Sequence, residues 1–258
     1  MVGAQHTPRE VGAWAGGTDQ WLEGGRPSLR FRGGGPRVAG SRQLRSRSML
    51  TVDDSPVSTS ATMTDSGTVS ASYVEALRLL IDRLDLVAIE RVANRLRTAR
   101  DSGATVFVAG NGGSAATASH WVNDLSKATL RSGRAPIRVI GLVDNVAWLT
   151  ALANDEGYER VFAGQLANLG RSGDVLVVIS ASGNSPNLVR AVELAMDREV
   201  LTIGFLGFDG GALKDMVDEI VWVQTPKGEY GLVESVHSIA CDIVTTCLIE
   251  DRARSGRE

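Results

Sequence analysis

ATVFVAGNGGSAATASHWVND, residues 104–124, changes its periodicity halfway along. ATVFVAG is a compact apolar run of strand length, the chain from Ser114 onward reads as a helix, and AGNGGS (109–114) is the turn between them. A strand passing through a glycine-rich turn directly into a helix is half of a βα unit. A second such passage lies further on, where VLVVIS (175–180) runs into SASGNS (180–185) and a helix opens at Pro186.

The same alternation extends outward from these two units. Tyr73, Leu77, Leu80, Ile81 and Leu84, then Leu86, Ile89, Val92, Ala93 and Leu96, recur at helical spacing, with Asp85 separating two helices. Pro136 opens a strand, IRVIGL, and Asp144 suits the cap of a helix through NVAWLTALAN. A further helix is predicted over 158–169, strands at VLTIGFL and EIVWVQ, and a long final helix over 229–251. Strands written as continuous Val/Ile runs between helices predict an α/β fold whose parallel sheet is covered on both faces. Five strands fit one domain, residues 69–254. In such a fold ligands bind beyond the carboxyl ends of the strands, where both glycine/serine loops fall.

Composition narrows the class. Of 258 residues 43% are hydrophobic and 22% charged, enough to build a core, and no stretch approaches the roughly 20 apolar residues of a membrane span. Cys241 and Cys247 lack metal-knuckle spacing and read as core thiols of a cytoplasmic protein. The net charge of −3 conceals a basic N-terminus, in which residues 1–48 carry eight arginines against Glu10, Asp19 and Glu23. That segment has no lysine and no aromatic stacking pattern, so no nucleic-acid partner is expected. Its Gly/Arg/Ser texture reads as a disordered tail over 1–68, with the true start at Met49 or Met63.

Both loops offer small side chains, hydroxyls and backbone amides at a helix N-terminus, the combination that holds a phosphate. Neither ends in the GK[ST] of a P-loop. Gly110–Gly113 gives GxGG rather than GxGxxG, and no acidic ribose binder follows, which disfavours a nucleotide.

GNGGSA followed by His120, then ISASGNSPN, resembles the sugar isomerase (SIS) domain, more narrowly its phosphoheptose isomerase branch; LANDEGYERVF (152–162) is similar to a segment of that branch. The resemblance covers about residues 70–250. It implies a three-layer αβα sandwich, SIS/flavodoxin-like, with a five-stranded parallel sheet and an N-terminal helical hairpin. It also implies a homotetramer with shared active sites and conversion of sedoheptulose 7-phosphate to D-glycero-D-manno-heptose 7-phosphate through an enediol. The alternatives are a non-catalytic SIS module, acting as a phosphosugar sensor or a replication-initiation partner, and an isomerase of another sugar phosphate.

Carried across by resemblance, Ser114, Ser180, Ser182 and Ser185 hold the sugar phosphate with Asn111 and Gly113, while Ala181 stands where threonine is common. Asp144 matches an aspartate near the sugar hydroxyls, with a plain helix cap as its other reading. His120 and Asp124 lie at i and i+4 on one helix face, suited to a divalent metal or to acid/base work. Glu234, His237, Cys241 and Asp242 form one stripe of the final helix. In the family that stripe carries glutamine where Glu234 stands and histidine where Asp242 stands, and the histidine at 120 is followed by glutamate where Asp124 stands. Asp124, Asp242 and Glu234 are the catalytic candidates. His120, Asp124, Glu234 and Asp242 are the candidate metal set, with zinc as the family's metal. His237 matches a family histidine and is equally a hydrogen-bonded core position. Tyr230 and Leu232 replace residues usually polar or charged.

Overall fold

The computed structural model describes residues 68–250. The tail and the alternative starts at Met49 and Met63 lie outside the described residues, as do positions 251–254 at the end of the expected domain.

Two side-chain caps open the helical pair. Thr68 accepts from the Ala71 amide at the start of α1 (Val69–Asp82), and Asp85 accepts from Ala88 N at 2.9 Å at the start of α2 (Leu86–Ser102). Each cap contributes about 1 kcal/mol by satisfying an amide that the helix cannot. Then follow β1 (Thr105–Gly110), α3 (Gly113–Lys127), β2 (Arg138–Gly141), α4 (Val146–Asp155) and α5 (Val161–Leu169). The chain continues through β3 (Val175–Ser180), α6 (Pro186–Asp197), β4 (Leu201–Gly207), β5 (Glu219–Val223) and α7 (Tyr230–Ile249).

The five strands form one sheet in the order β2-β1-β3-β4-β5, every pairing parallel. Period-two alternation divides each strand between two cores. Val106, Val108, Val175, Val177, Ile203 and Phe205 face the layer of α1, α2, α3 and α7; Phe107, Ala109, Leu176, Val178 and Leu206 face α4, α5 and α6. The outer layer is tied to the sheet edge by Glu219 on β5, which accepts from Arg91 at 3.2 Å and Arg95 at 2.9 Å. This is the three-layer αβα sandwich the sequence implied.

Three readings need correction. Asn145, not Asp144, caps α4, its Oδ1 accepting from Trp148 N at 3.1 Å. Asp144 instead lays its carboxylate against Gly141, so it closes the turn after β2. The helix expected over 158–169 is a 3-10 turn, Tyr158–Arg160, leading into α5. One stretch does reach the dimensions of a membrane span: α7, 20 residues long with a mean hydropathy of 1.5. Half of its apolar window is buried, because α7 packs against α1, α2 and α3 as a core helix.

The connectivity places the site. In this strand order the winding of the sheet reverses between β1 and β3, which lie side by side and parallel. The loops leaving their carboxyl ends are the two glycine/serine loops, and they diverge around the crevice where doubly wound sheets bind ligands.

Candidate active site

The first loop carries Gly112 at φ +55 as the N-cap of α3, with no side-chain cap, so no side chain occupies the helix's first amides. Gly113 lets the Glu234 carboxylate lie directly against the loop; a Cβ there would displace that carboxylate. In the second loop Ser185 is the N-cap of α6, and its hydroxyl makes no capping bond. Ser180 Oγ accepts from Gly183 N at 3.0 Å and Ser182 Oγ from Asn184 N at 3.3 Å, which leaves each hydroxyl proton free to be donated. Two helix N-termini with uncapped amides, flanked by serines, offer the dipole and the hydrogen-bond donors that an anion cradle requires.

A cleft of about 430 Å³ opens over these groups, and Asn111, Ser114, Ser180, Ser182, Ser185 and Glu234 all line it. Ala181 lines it too, apolar where a hydroxyl is common. Of the two other departures on α7, Leu232 is fully buried core, whereas Tyr230 lines the cleft. The Tyr230 ring stands edge-on to Phe208, centroids 5.0 Å apart. Asp144, exposed at the end of β2, is not among the lining residues.

Two residues absent from the sequence reading join this site. Asn187, in the first turn of α6 and 2% exposed, exchanges two amide hydrogen bonds with Asn111, each 2.9 Å. Tyr158, from the turn before α5, donates its hydroxyl to Asn111 Oδ1 at 3.0 Å. The only sequence signals were an asparagine just after the helix-opening proline and a tyrosine within LANDEGYERVF.

The remaining candidates gather in a narrow groove between α3 and α7, where Thr117 and Ser238 hydroxyls meet at 3.4 Å. His120 Nε2 lies 3.4 Å from Asp124 Oδ2, and Asp242 lines the same groove. Both aspartates lie close enough to Cys241 that their charges, after burial itself, push its thiol pKa up, so this cysteine is a packed, unreactive thiol. The structure therefore splits the predicted set of four. His120, Asp124 and Asp242 share the groove, and Glu234, two turns back along α7, faces Gly113 and the cradle.

His237 points the other way, into the core, edge-on to Phe205 with centroids 6.3 Å apart. The hydrogen-bonded core position expected for it is half met: the ring is fully buried, but neither nitrogen makes a well-formed hydrogen bond. Burial pushes its pKa from 6.5 down to about 4, the nearby Leu206 backbone offsetting only part of this. The unfolded chain then binds the extra proton between pH 6.5 and about 4, so acid destabilises the fold across that window. The slope is at most about 1.4 kcal/mol per pH unit. Urea unfolding at pH 7 and pH 5 is expected to show a larger loss for the wild type than for His237→Leu; equal losses would remove His237 as the acid-sensitive group.

The fold and the paired loops define the class. The SIS domain pattern matches residues 72–207, and the chain belongs to the SIS-domain family. Within that family it is closely related to the bacterial phosphoheptose isomerases. It is 34% identical over 187 residues to the phosphoheptose isomerase of a Bradyrhizobium species, covering 71% of this chain and 93% of the relative. Against that of Geobacter metallireducens it is 40% identical over 159 residues, covering 60% and 83%. Among solved structures, the phosphoheptose isomerase of Francisella tularensis superposes with a TM-score of 0.63 at 30% identity, covering 70% of this chain and 94% of that one. That of Neisseria gonorrhoeae gives 0.63 at 29% identity, covering 70% and 96%.

Proposed function

We propose that the protein is an aldose–ketose isomerase that converts sedoheptulose 7-phosphate to D-glycero-D-manno-heptose 7-phosphate. The observation that carries this reading is one cleft in which the uncapped N-termini of α3 and α6, four serines and the Glu234 carboxylate meet. The relatedness to named phosphoheptose isomerases selects the sugar.

The phosphate sits in the cradle and the opened sugar runs along the α3–α7 seam. From Ser114 to His120 and Asp124 the helix rises about 9 and 15 Å, which sets the groove at the carbonyl end of an extended seven-carbon chain. Asp124 takes the proton from C1, and the C–H electrons form the C1–C2 double bond as the C2 carbonyl oxygen gains a proton from Asp242. Asp124 then returns its proton to C2 while Asp242 regains one from O1, leaving an aldehyde at C1. His120 orients the Asp124 carboxylate, and Glu234 accepts hydrogen bonds from mid-chain hydroxyls.

The donor set in the groove, one imidazole and two carboxylates, is of the kind that takes a divalent cation. Among the described residues no three His, Cys, Asp or Glu side chains are gathered closely enough to hold an ion as they stand. His120, Asp124 and Asp242 would hold zinc in this reading, with Glu234 left at the cradle, and the metal would polarise the substrate carbonyl.

We also place the enzyme in the cytoplasm as a homotetramer. Exposed Val74 and Leu79 on α1, with Leu86 and Val87 on α2, offer apolar surface for subunit contact. Light scattering at the mass of a monomer would overturn that part.

Purified protein incubated with sedoheptulose 7-phosphate is expected to generate aldose signals by NMR, diminished by chelator and restored by zinc. Phosphosugar binding without turnover would overturn the isomerase reading in favour of a binding module. Turnover indifferent to exhaustive chelation would overturn the metal alone.

A further inference from the structure

The two phosphate loops belong to different βα units, yet a phosphate is held only if both helix N-termini are aimed at one point. The Asn111–Asn187 amide pair is what joins them. Asn111 sits in the loop before α3, Asn187 in the first turn of α6, and the two bonds between them are both 2.9 Å. Asn111 Oδ1 accepts from Asn187 Nδ2 and from the Tyr158 hydroxyl, so both of its lone pairs are occupied. The side-chain oxygen of Asn111 is thus unavailable to a sugar hydroxyl, although the residue lines the cleft. Asn187 is buried and is not among the residues that line the cleft. Among the described residues its side-chain amide hydrogen-bonds with Asn111 alone, so losing Asn111 would leave a buried amide unsatisfied.

We propose that Asn187 is a positioning residue for the phosphate cradle: through Asn111, with Tyr158 as a brace, it fixes the first loop against α6 and so aligns Ser114 with Ser180, Ser182 and Ser185. The inference rests on the phosphate-cradle reading above. It gives the Asn111 side-chain oxygen the task of joining two loops, while the backbone N–H and second Nδ2 hydrogen of Asn111 keep their donor capacity toward the phosphate.

A double-mutant cycle read by inorganic phosphate binding in calorimetry tests it. Asn111→Ala and Asn187→Ala are each expected to weaken phosphate about tenfold, and the double variant also about tenfold rather than a hundredfold, because both act through one contact. Tyr158→Phe is expected to weaken it about two- to threefold by the same logic. With sedoheptulose 7-phosphate as substrate, KM rises in the same proportion while kcat stays near the wild-type value, a split that general destabilisation does not produce. Asn187→Ser, smaller and still polar, replaces the alanine variant should that fail to fold. Additive losses, or an Asn187 variant with wild-type affinity, would overturn the positioning role and leave the cradle standing. A wild-type protein that binds no phosphate would overturn the cradle and this inference with it.

Discussion

Asp124→Asn is expected to lower turnover of sedoheptulose 7-phosphate by at least about a hundredfold while phosphate affinity stays within about twofold. Asparagine keeps the shape of the side chain and its place beside His120, but it neither takes up nor releases a proton near neutral pH. The separation between the two effects comes from the geometry. Asp124 lies in the α3–α7 groove with Asp242, whereas the serines and helix N-termini of the proposed phosphate cradle line a different cleft. Steady-state kinetics beside phosphate calorimetry provides the check. A wild-type rate in Asp124→Asn would remove it from the mechanism, and an equal fall in phosphate affinity would mean that groove and cradle are one site.

Gly183→Ala is expected to cost roughly 3 kcal/mol or more and to abolish phosphate binding. Gly183 adopts φ +63, and a Cβ on it would run into the Gly210 carbonyl oxygen, a backbone atom with no room to withdraw. The same residue donates its N–H to Ser180 Oγ and accepts from Leu213 N at 3.0 Å, so any relief of the clash displaces the loop. Gly173→Ala is the natural control, since its φ is +88 but a Cβ there meets nothing within 4 Å. It is expected to cost only about 1–2 kcal/mol, the price of left-handed backbone. Equal losses in the two variants by urea unfolding would show that the collision contributes nothing.

The fold was legible because its signals are local. VLVVIS reads as a strand buried on both faces, and so it is; the change from strand to helical period at AGNGGS and SASGNS marks both loops in the sequence alone. Local signals also misled where two adjacent residues offered the same chemistry. Asp144 and Asn145 are both competent caps, and only the backbone path, turning Asp144 back onto Gly141, decided for Asn145. Helical spacing placed Glu234 and Asp242 on one stripe of α7. That spacing could not say that a stripe two turns long passes from one recess to another.

The sequence by itself therefore determined the parallel sandwich, the position of the two serine loops at its carboxyl edge, and the shared helix face of His120 and Asp124 on α3; of the α7 stripe it misplaced His237, which turns into the core. These follow from periodicities of two and 3.6 and from where glycine and proline interrupt them. Tertiary structure decided which of those faces meet. It brought Asn187 and Tyr158 onto Asn111, set Glu234 against Gly113, turned His237 into the core and left Asp124 with Asp242 in a groove of their own. Each of these depends on the strand order, which makes neighbours of β1 and β3 and of α3 and α7. No residue's own neighbourhood in the chain carries that information, because the contacts join segments far apart in sequence.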